Sequence, residues 1–309
     1  MNYCPITYEP LLEKERYSKA GLKLLSPQLQ KLDALNLSAE EQRIEAINRA
    51  GKMSVQGVQS KLSAQLKIKD GSFRIVDQQG HYILKTQSAH YPQLPENEAI
   101  TMSMAALVGI EVPVHGLVYA KDNTMTYFIK RFDRAGHNKK FSLEDFSQLS
   151  GKSRDTKYKS SMEQVIDIIN QFCSFPKIEG IKLFKWTLFN YLIGNEDMHL
   201  KNFSILSKEN KSVLSPAYDL LNTTIALTNA KEELALPLKG KKNNLSKKDL
   251  INYLAGERLE LKQIIIDEIL HDFIQKIPIW YKYIDRSFLS LAMKENYKNL
   301  LQERSSKIL

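Results

Sequence analysis

Between residues 53 and 134 the hydrophobic and polar positions change rhythm several times. "KLSAQLKIK" alternates, "FRIV" and "HYILK" are short apolar runs, and "DGS" and "DQQG" are turn-formers, so the stretch to Lys85 predicts three short strands. "PENEAITMSMAALVGIEVP" predicts one helix, because Ile100, Met104 and Leu107 recur at helical spacing and Gly109 and Pro113 end it. "HGLVYA", a "KDN" turn and "TYFIKRFDR" return to strands. A small antiparallel sheet with one inserted helix is the expectation.

Residues 10 to 50 predict helices, with "SPQLQKLDAL" and "SAEEQRIEAINRAG" each beginning on a serine in N-cap position. Beyond Arg134 the pattern is mostly helical: "SMEQVIDIINQFC", "GIKLFKWTLFNYLIGN" and most of 245 to 309. "FSIL", "SKENKS" and "VLSPAYDLL" interrupt it as a hairpin. The fold class is α+β. The expected organisation is a helical segment (1–50), a small β-rich lobe (51–134) and a mainly helical lobe (135–309).

With 43% hydrophobic and 26% charged residues, the composition is that of a folded globular protein. No run approaches the ~18 apolar residues of a membrane helix. The N-terminus lacks the basic start and apolar run of a signal peptide, which predicts a cytoplasmic protein without membrane partners. Cys4 and Cys173 are far apart and lack metal-ligand spacing. The net charge of +9 could attract nucleic acid, but lysines and acids are interspersed except in "KGKKNNLSKKD" (239–249).

Candidate chemistry concentrates in "YLIGNEDMHLKNFSILSKENKSVLSPAYDLL" (191–221), where polar groups interrupt apolar sequence. Asp197 and Asn202 have the D-x-x-x-x-N spacing with which kinases place a catalytic aspartate and a Mg²⁺-binding asparagine. Asp219, after the hairpin, stands where a second metal ligand belongs. Alternatively, Asp219 caps a short helical segment. Such a site also needs a strand lysine and a helix carboxylate: Lys85 ends "HYILK", and Glu98, with Glu96 as rival, opens the next helix. "MSVQGVQSK" (53–61) holds one glycine, Gly57, and matches no standard phosphate-loop pattern; its amides and Lys61 could cradle phosphate. His199 could bond a phosphate or Asp219, or simply pack.

At these residues the sequence resembles the HipA family of serine/threonine kinases, toxins of bacterial toxin–antitoxin modules. The resemblance rests on "SVQGVQSK", "YILK", "ENE", "KRFDR", "IGNEDMHLKNFS", "YDLL" and "LALPLKGKKNNLSKKD", in family order. It implies a two-lobed, protein-kinase-like fold with a β-rich N-lobe, a helical C-lobe and ATP between them. It makes Asp197 catalytic, Asn202 and Asp219 the Mg²⁺ ligands, Lys85 the phosphate lysine, and Gln56, Gly57, Val58, Gln59, Ser60 and Lys61 the phosphate loop. The backbone of Lys130, Arg131 and Phe132 would meet adenine, and His199, Leu200, Lys201 and Tyr218 would border the nucleotide. Autophosphorylation of Ser54, or of Ser60 in the same loop, would shut the kinase down.

The mainly helical first 50 residues depart from longer family members, which carry a β-rich subdomain there. That resembles the short, HipT-like branch, in which the missing piece is a separate small antitoxin beside a helix-turn-helix antitoxin. The expected partners are these two proteins, DNA only through the latter, and a substrate that is an aminoacyl-tRNA synthetase, glutamyl or tryptophanyl. The alternatives are a catalytically weak scaffold in a repressor complex and a small-molecule or lipid kinase.

Overall fold

The computed structural model describes residues 2–50, 59–136, 139–151, 156–227 and 231–309. In chain order the elements are α1 (Lys19–Leu25), α2 (Ala39–Ala50), β1 (Lys61–Lys67), β2 (Ser72–Ile75), β3 (Tyr82–Lys85), α3 (Leu94–Leu107), β4 (His115–Tyr119) and β5 (Met125–Lys130). A two-residue ladder, β6 (Arg134–Ala135) with β7 (Lys139–Lys140), leads to β8 (Ser142–Asp145) and α4 (Phe146–Leu149). Then come α5 (Met162–Phe172), α6 (Pro176–Ile193), β9 (Ser204–Lys208), β10 (Lys211–Leu214), α7 (Thr223–Ala226), a π-helical segment (Lys248–Arg258), α8 (Gln263–Arg286) and α9 (Leu291–Ile308). The chain is α+β and forms two compact units.

The first unit comprises Met1–Ile100, Pro113–Lys139 and Tyr283–Ser290. Its centre is an antiparallel sheet of order β2-β1-β3-β5-β4. Strand alternation sends Leu62, Ala64, Tyr82, Leu84, Phe128 and Val118 to one face, which the N-terminal segment covers with Cys4, Ile6, Leu22, Leu25, Leu29, Leu32 and Leu35. Register fixes the other face too. Lys61 stands opposite Lys85, Lys85 opposite Tyr127 and Tyr127 opposite Leu117, a single row across four strands.

One expected helix is absent. Residues 26–35 form a turn and an extended run, not a helix from Ser26. Leu29, Leu32 and Leu35 do repeat at three-residue spacing and are buried, but along an extended path. The amide of Asp33 donates to Gly71 O at 2.7 Å and that of Leu35 to Tyr119 O at 2.8 Å, so this backbone is satisfied by the sheet's loops and edge. Helix occurs instead at α1, whose N-cap Ser18 accepts from the Gly21 amide at 3.0 Å, and at α2, where Ser38 accepts from the Glu41 amide.

The second unit comprises Thr101–Val112, Lys140–Lys282 and Leu291–Leu309. Its core is α6, whose residues from Leu183 to Ile193 are nearly all buried, packed against α5 and α9. The expected hairpin is present: Glu209 and Asn210 both take positive φ (52° and 59°), the conformation a tight two-residue turn between β9 and β10 requires. β8 extends it to three strands, an addition the sequence pattern did not announce.

Candidate active site

In the first unit the row of facing residues gathers several of the candidate side chains. Lys85 and Glu98 are 4% and 1% exposed, with Lys85 Nζ 2.5 Å from Glu98 Oε1. Tyr127, the register partner of Lys85, turns its ring toward the same ammonium at 5.5 Å. Glu96 takes another partner: Gln87 Nε2 donates to both its oxygens at 2.8 and 3.0 Å. Burial raises the Glu96 carboxyl to about 7, against those hydrogen bonds. The chain entering β1 is tied to this row, because the Thr86 amide donates to Ser60 O at 3.2 Å and Gln59 Nε2 donates to Thr86 O at 2.7 Å. Lys61, directly across from Lys85, puts two lysines side by side, an arrangement that favours an anion. Ser54, Gln56, Gly57 and Val58 lie outside the described residues.

Where β5 ends, Lys130 N–H donates to Val114 O and Arg131 N–H to His81 O, both at 2.8 Å. The Arg131 guanidinium grips Asp133 with two bonds, at 2.9 and 2.7 Å. Burial opposes ionisation of Asp133, but Arg131 outweighs it and holds the carboxyl below its usual range. Phe132, between them, is partly buried.

In the second unit, α6 delivers the loop 194–202. Gly194 ends the helix at φ 75°, a left-handed cap that favours glycine. Asn195 is fully buried: its amide nitrogen donates to Asn190 Oδ1 at 2.7 Å, and its oxygen accepts from the Asp197 backbone N–H at 3.0 Å. The Asp197 carbonyl then accepts from the His199 amide and from Asn202 Nδ2, both at 2.8 Å. The Asn202 –NH₂ is thereby engaged within the loop, leaving its side-chain oxygen as the group that can ligate a cation. The Asp197 carboxyl is itself 45% exposed.

The hairpin returns to this loop. The Tyr218 hydroxyl donates to Lys201 O at 2.9 Å and lies 2.6 Å from Ser204 Oγ, contacts that bracket Asn202 and fix the turn bearing Asp219. Burial raises the Tyr218 phenol, so it stays protonated and able to donate. Asp219 has φ 55°, left-handed backbone that a non-glycine residue adopts at some cost, and its charge reaches His199. Asn202 and Asp219 supply oxygen donors only, the set magnesium prefers when phosphates and water complete its shell. These residues fit such a group.

His199 is 5% exposed; its Nε2 lies 2.6 Å from Lys157 Nζ, and its Nδ1 is buried without a hydrogen-bond partner. Burial lowers its pKa despite Asp197, which keeps the ring neutral. A buried orphan of this kind suits a ligand oxygen. Leu200 is fully buried and serves the core, whereas Lys201 is half-buried at the loop surface.

Residues 53–280 match the family model of the HipA-like C-terminal domain. The chain belongs to that family. A Haemophilus influenzae relative named "Putative kinase" is 34% identical over 242 residues, 72% of this chain and 69% of its own length. The serine/threonine-protein kinase toxin HipA of Shewanella oneidensis is 28% identical over 190 residues, 55% of this chain and 43% of that protein. This chain thus spans less than half of that HipA, and 59% of the Sinorhizobium fredii relative Y4dM. Among solved structures, HipA in the Shewanella oneidensis complex of HipA, HipB and operator DNA superposes with a TM-score of 0.70 at 21% identity, covering 94% of this chain and 74% of that one. The Helicobacter pylori proinflammatory kinase CtkA superposes at 0.53 with 19% identity, over 74% of this chain and 87% of that one. Both likenesses are of fold, and both are to kinase-named proteins.

Two groups at the HipA-like loop escaped sequence reasoning. Asn195 orders the loop from beneath, a role its polarity inside "LIGNED" could have signalled. Lys157 and Tyr158 touch His199 and Asp197, yet "SRDTKYKSS" has no periodicity and reads as surface loop.

Proposed function

We propose that this chain is an ATP- and Mg²⁺-dependent protein serine/threonine kinase, the toxin of a toxin–antitoxin module. The observation that carries the reading is the buried Lys85–Glu98 pair. Burying two charges costs several kcal/mol per ion before their attraction repays it, and nothing in the packing of this small sheet calls for them. A phosphate-binding lysine held by a carboxylate explains the expense.

In this reading Lys85, with Lys61 and the loop 56–61, binds the nucleotide phosphates, and the backbone of Lys130, Arg131 and Phe132 meets the adenine. His199, Lys201 and Tyr218 border the nucleotide. Asn202 and Asp219 hold magnesium, which when bound neutralises charge on the phosphates. The acceptor hydroxyl attacks the γ-phosphorus, the bond to the β-phosphate oxygen breaks, ADP leaves, and the hydroxyl proton passes to Asp197. Ser54, or Ser60, is the self-modification site. The substrate is a component of translation, an aminoacyl-tRNA synthetase of the glutamyl or tryptophanyl kind, as the family resemblance implies. The partners are a helix-turn-helix antitoxin, through which DNA is reached, and a small separate antitoxin.

The test is intact mass and phosphopeptide mapping of the protein beside Asp197→Asn after incubation with Mg²⁺ and ATP. Phosphate on Ser54 or Ser60 that disappears in the variant is the expected result; no transfer in the unsubstituted protein would overturn the reading.

A further inference from the structure

The Asp197 carboxylate has an acceptor-like group of the chain's own against it. The Tyr158 hydroxyl donates a hydrogen bond to Asp197 Oδ1. The tyrosine is held there from several sides. Its ring meets the His199 ring edge-on at 5.0 Å, and the ammoniums of Lys157 and Lys242 lie 4.9 and 5.9 Å from its centroid. Lys157 Nζ is 2.6 Å from His199 Nε2, and the Leu200 amide donates to Lys157 O at 3.4 Å, so the backbone beside Tyr158 is pinned to the same loop. Yet Tyr158 is 41% exposed and contributes to no core. A partly exposed aromatic fastened through its hydroxyl to the one loop carboxylate suited to receive a proton is doing something other than packing.

We infer that Tyr158 occupies the acceptor position at Asp197, as an unreactive mimic of the hydroxyl to be phosphorylated, so that every acceptor must displace it. The inference rests on the kinase reading above. An acceptor hydroxyl must approach Asp197 to hand over its proton, and that carboxylate oxygen cannot be approached freely while the phenol donates to it. The phenol is a poor acceptor itself. Burial and the Asp197 charge both raise its pKa above the ordinary range, which disfavours the anionic character a nucleophilic oxygen needs. Tyr158 therefore sets how easily acceptors gain the site, without touching nucleotide affinity.

The test uses the full chain in a Ser54→Ala background and reads initial rates, before self-modification can stop turnover, with water as the acceptor and Mg²⁺-ATP as the donor. Tyr158→Phe keeps the ring and removes the hydroxyl. Its initial rate of ADP release is expected to rise about tenfold, the scale of one hydrogen bond to a charged group that no longer has to be broken, with the KM for ATP unchanged. The added substitution Asp197→Asn should abolish the gain. An unchanged or lower rate, or phosphate recovered on Tyr158, overturns the inference. The contact has an activity-independent readout: nitration of Tyr158 by tetranitromethane, followed by mass spectrometry, should quicken severalfold in Asp197→Asn, and equal nitration would show that the two groups do not meet. If nitration responds but no protein, substituted or not, releases ADP, the kinase reading has failed and the acceptor role falls with it.

Discussion

Two glutamates in the first turns of α3 are two residues apart, and their surroundings send them to different states. Glu98 has an ammonium at 2.5 Å, whereas Glu96 has the uncharged Gln87 amide, which itself also donates to Met125 O at 2.9 Å. Burial without a charged partner leaves Glu96 with a folded pKa of about 7 against an ordinary 4.5. The sign follows from that order. Below pH 4.5 the residue is protonated whether the chain is folded or not, and its burial is harmless. As pH rises through the folded value, the folded state must either hold a proton the unfolded chain has released or bury a charge, so stability is lost. At 1.36 kcal/mol per pKa unit the loss is roughly 3 kcal/mol above pH 7. Glu96→Gln removes the ionisation and keeps the shape. Its unfolding free energy in urea is expected to match the unsubstituted protein near pH 4.5 and exceed it at pH 8; an equal difference at both pH values would refute this account. The sequence put Glu98 first and Glu96 as its rival for Lys85; both sit near the helix start, and the fold pairs Lys85 with Glu98.

Among the elements, α6 and the turn it ends in matter most to the candidate site. Gly194 has φ 75°, and a Cβ there would lie 2.5 Å from Leu300 Cδ2 and 2.7 Å from Thr224 Oγ1. Its carbonyl is held by the amide and hydroxyl of Thr224 and the hydroxyl of Thr223, at 3.0 to 3.1 Å. Gly194→Ala therefore meets both a disfavoured backbone and a filled space, about 2–4 kcal/mol together. The expected outcome is a melting temperature several degrees lower and a larger fractional loss of phosphate transfer than the unfolding alone explains, because Asn195 and the Asp197 backbone shift with the turn. Thermal melts beside transfer assays at a temperature where the variant is folded check this; an unchanged melt would show that the turn relaxes freely. Most elements were legible for the same local reasons. The strands alternate, Ser161 caps α5 through the Gln164 amide, and the Glu209–Asn210 turn is polar and short. Where reading failed, a tertiary interaction had replaced a local one. Leu29, Leu32 and Leu35 satisfy a helical spacing while docking as an extended chain, and "SLED" becomes β8 only because β9 offers its edge. The Asp197–Asn202 spacing was readable because it is local; Tyr158 was not, since its meaning depends on a loop 39 residues away.

For the molecule as a whole, the net charge of +9 must be set against how the cations are placed. Two of the five lysines in the basic cluster of residues 239–249 are paired with carboxylates. Lys242 lies 3.1 Å from Glu232, and Lys241 lies 3.4 Å from Asp249. Nearby, Lys307 lies 3.1 Å from Glu233, while Lys239 rests over the Tyr253 ring at 5.0 Å. Such surface pairs add little to stability, but they do change what the surface presents to a polyanion: alternating signs rather than a continuous positive stripe. A protein that reads duplex DNA by itself neutralises about 6–10 phosphates and loses roughly a thousandfold or more in affinity between ~50 and ~200 mM salt. With its cations interspersed with acids and partly paired, this chain should engage only about two phosphates, which corresponds to about a tenfold loss over the same interval. Fluorescence anisotropy of a labelled duplex at the two salt concentrations makes the distinction. Weak retention with a shallow salt dependence, the same for unrelated sequences, is the expected outcome and agrees with DNA being reached through a partner. A thousandfold loss, or preference for one sequence by the chain alone, would mean that its basic face contacts the duplex directly and that the paired lysines exchange their carboxylates for phosphates on binding.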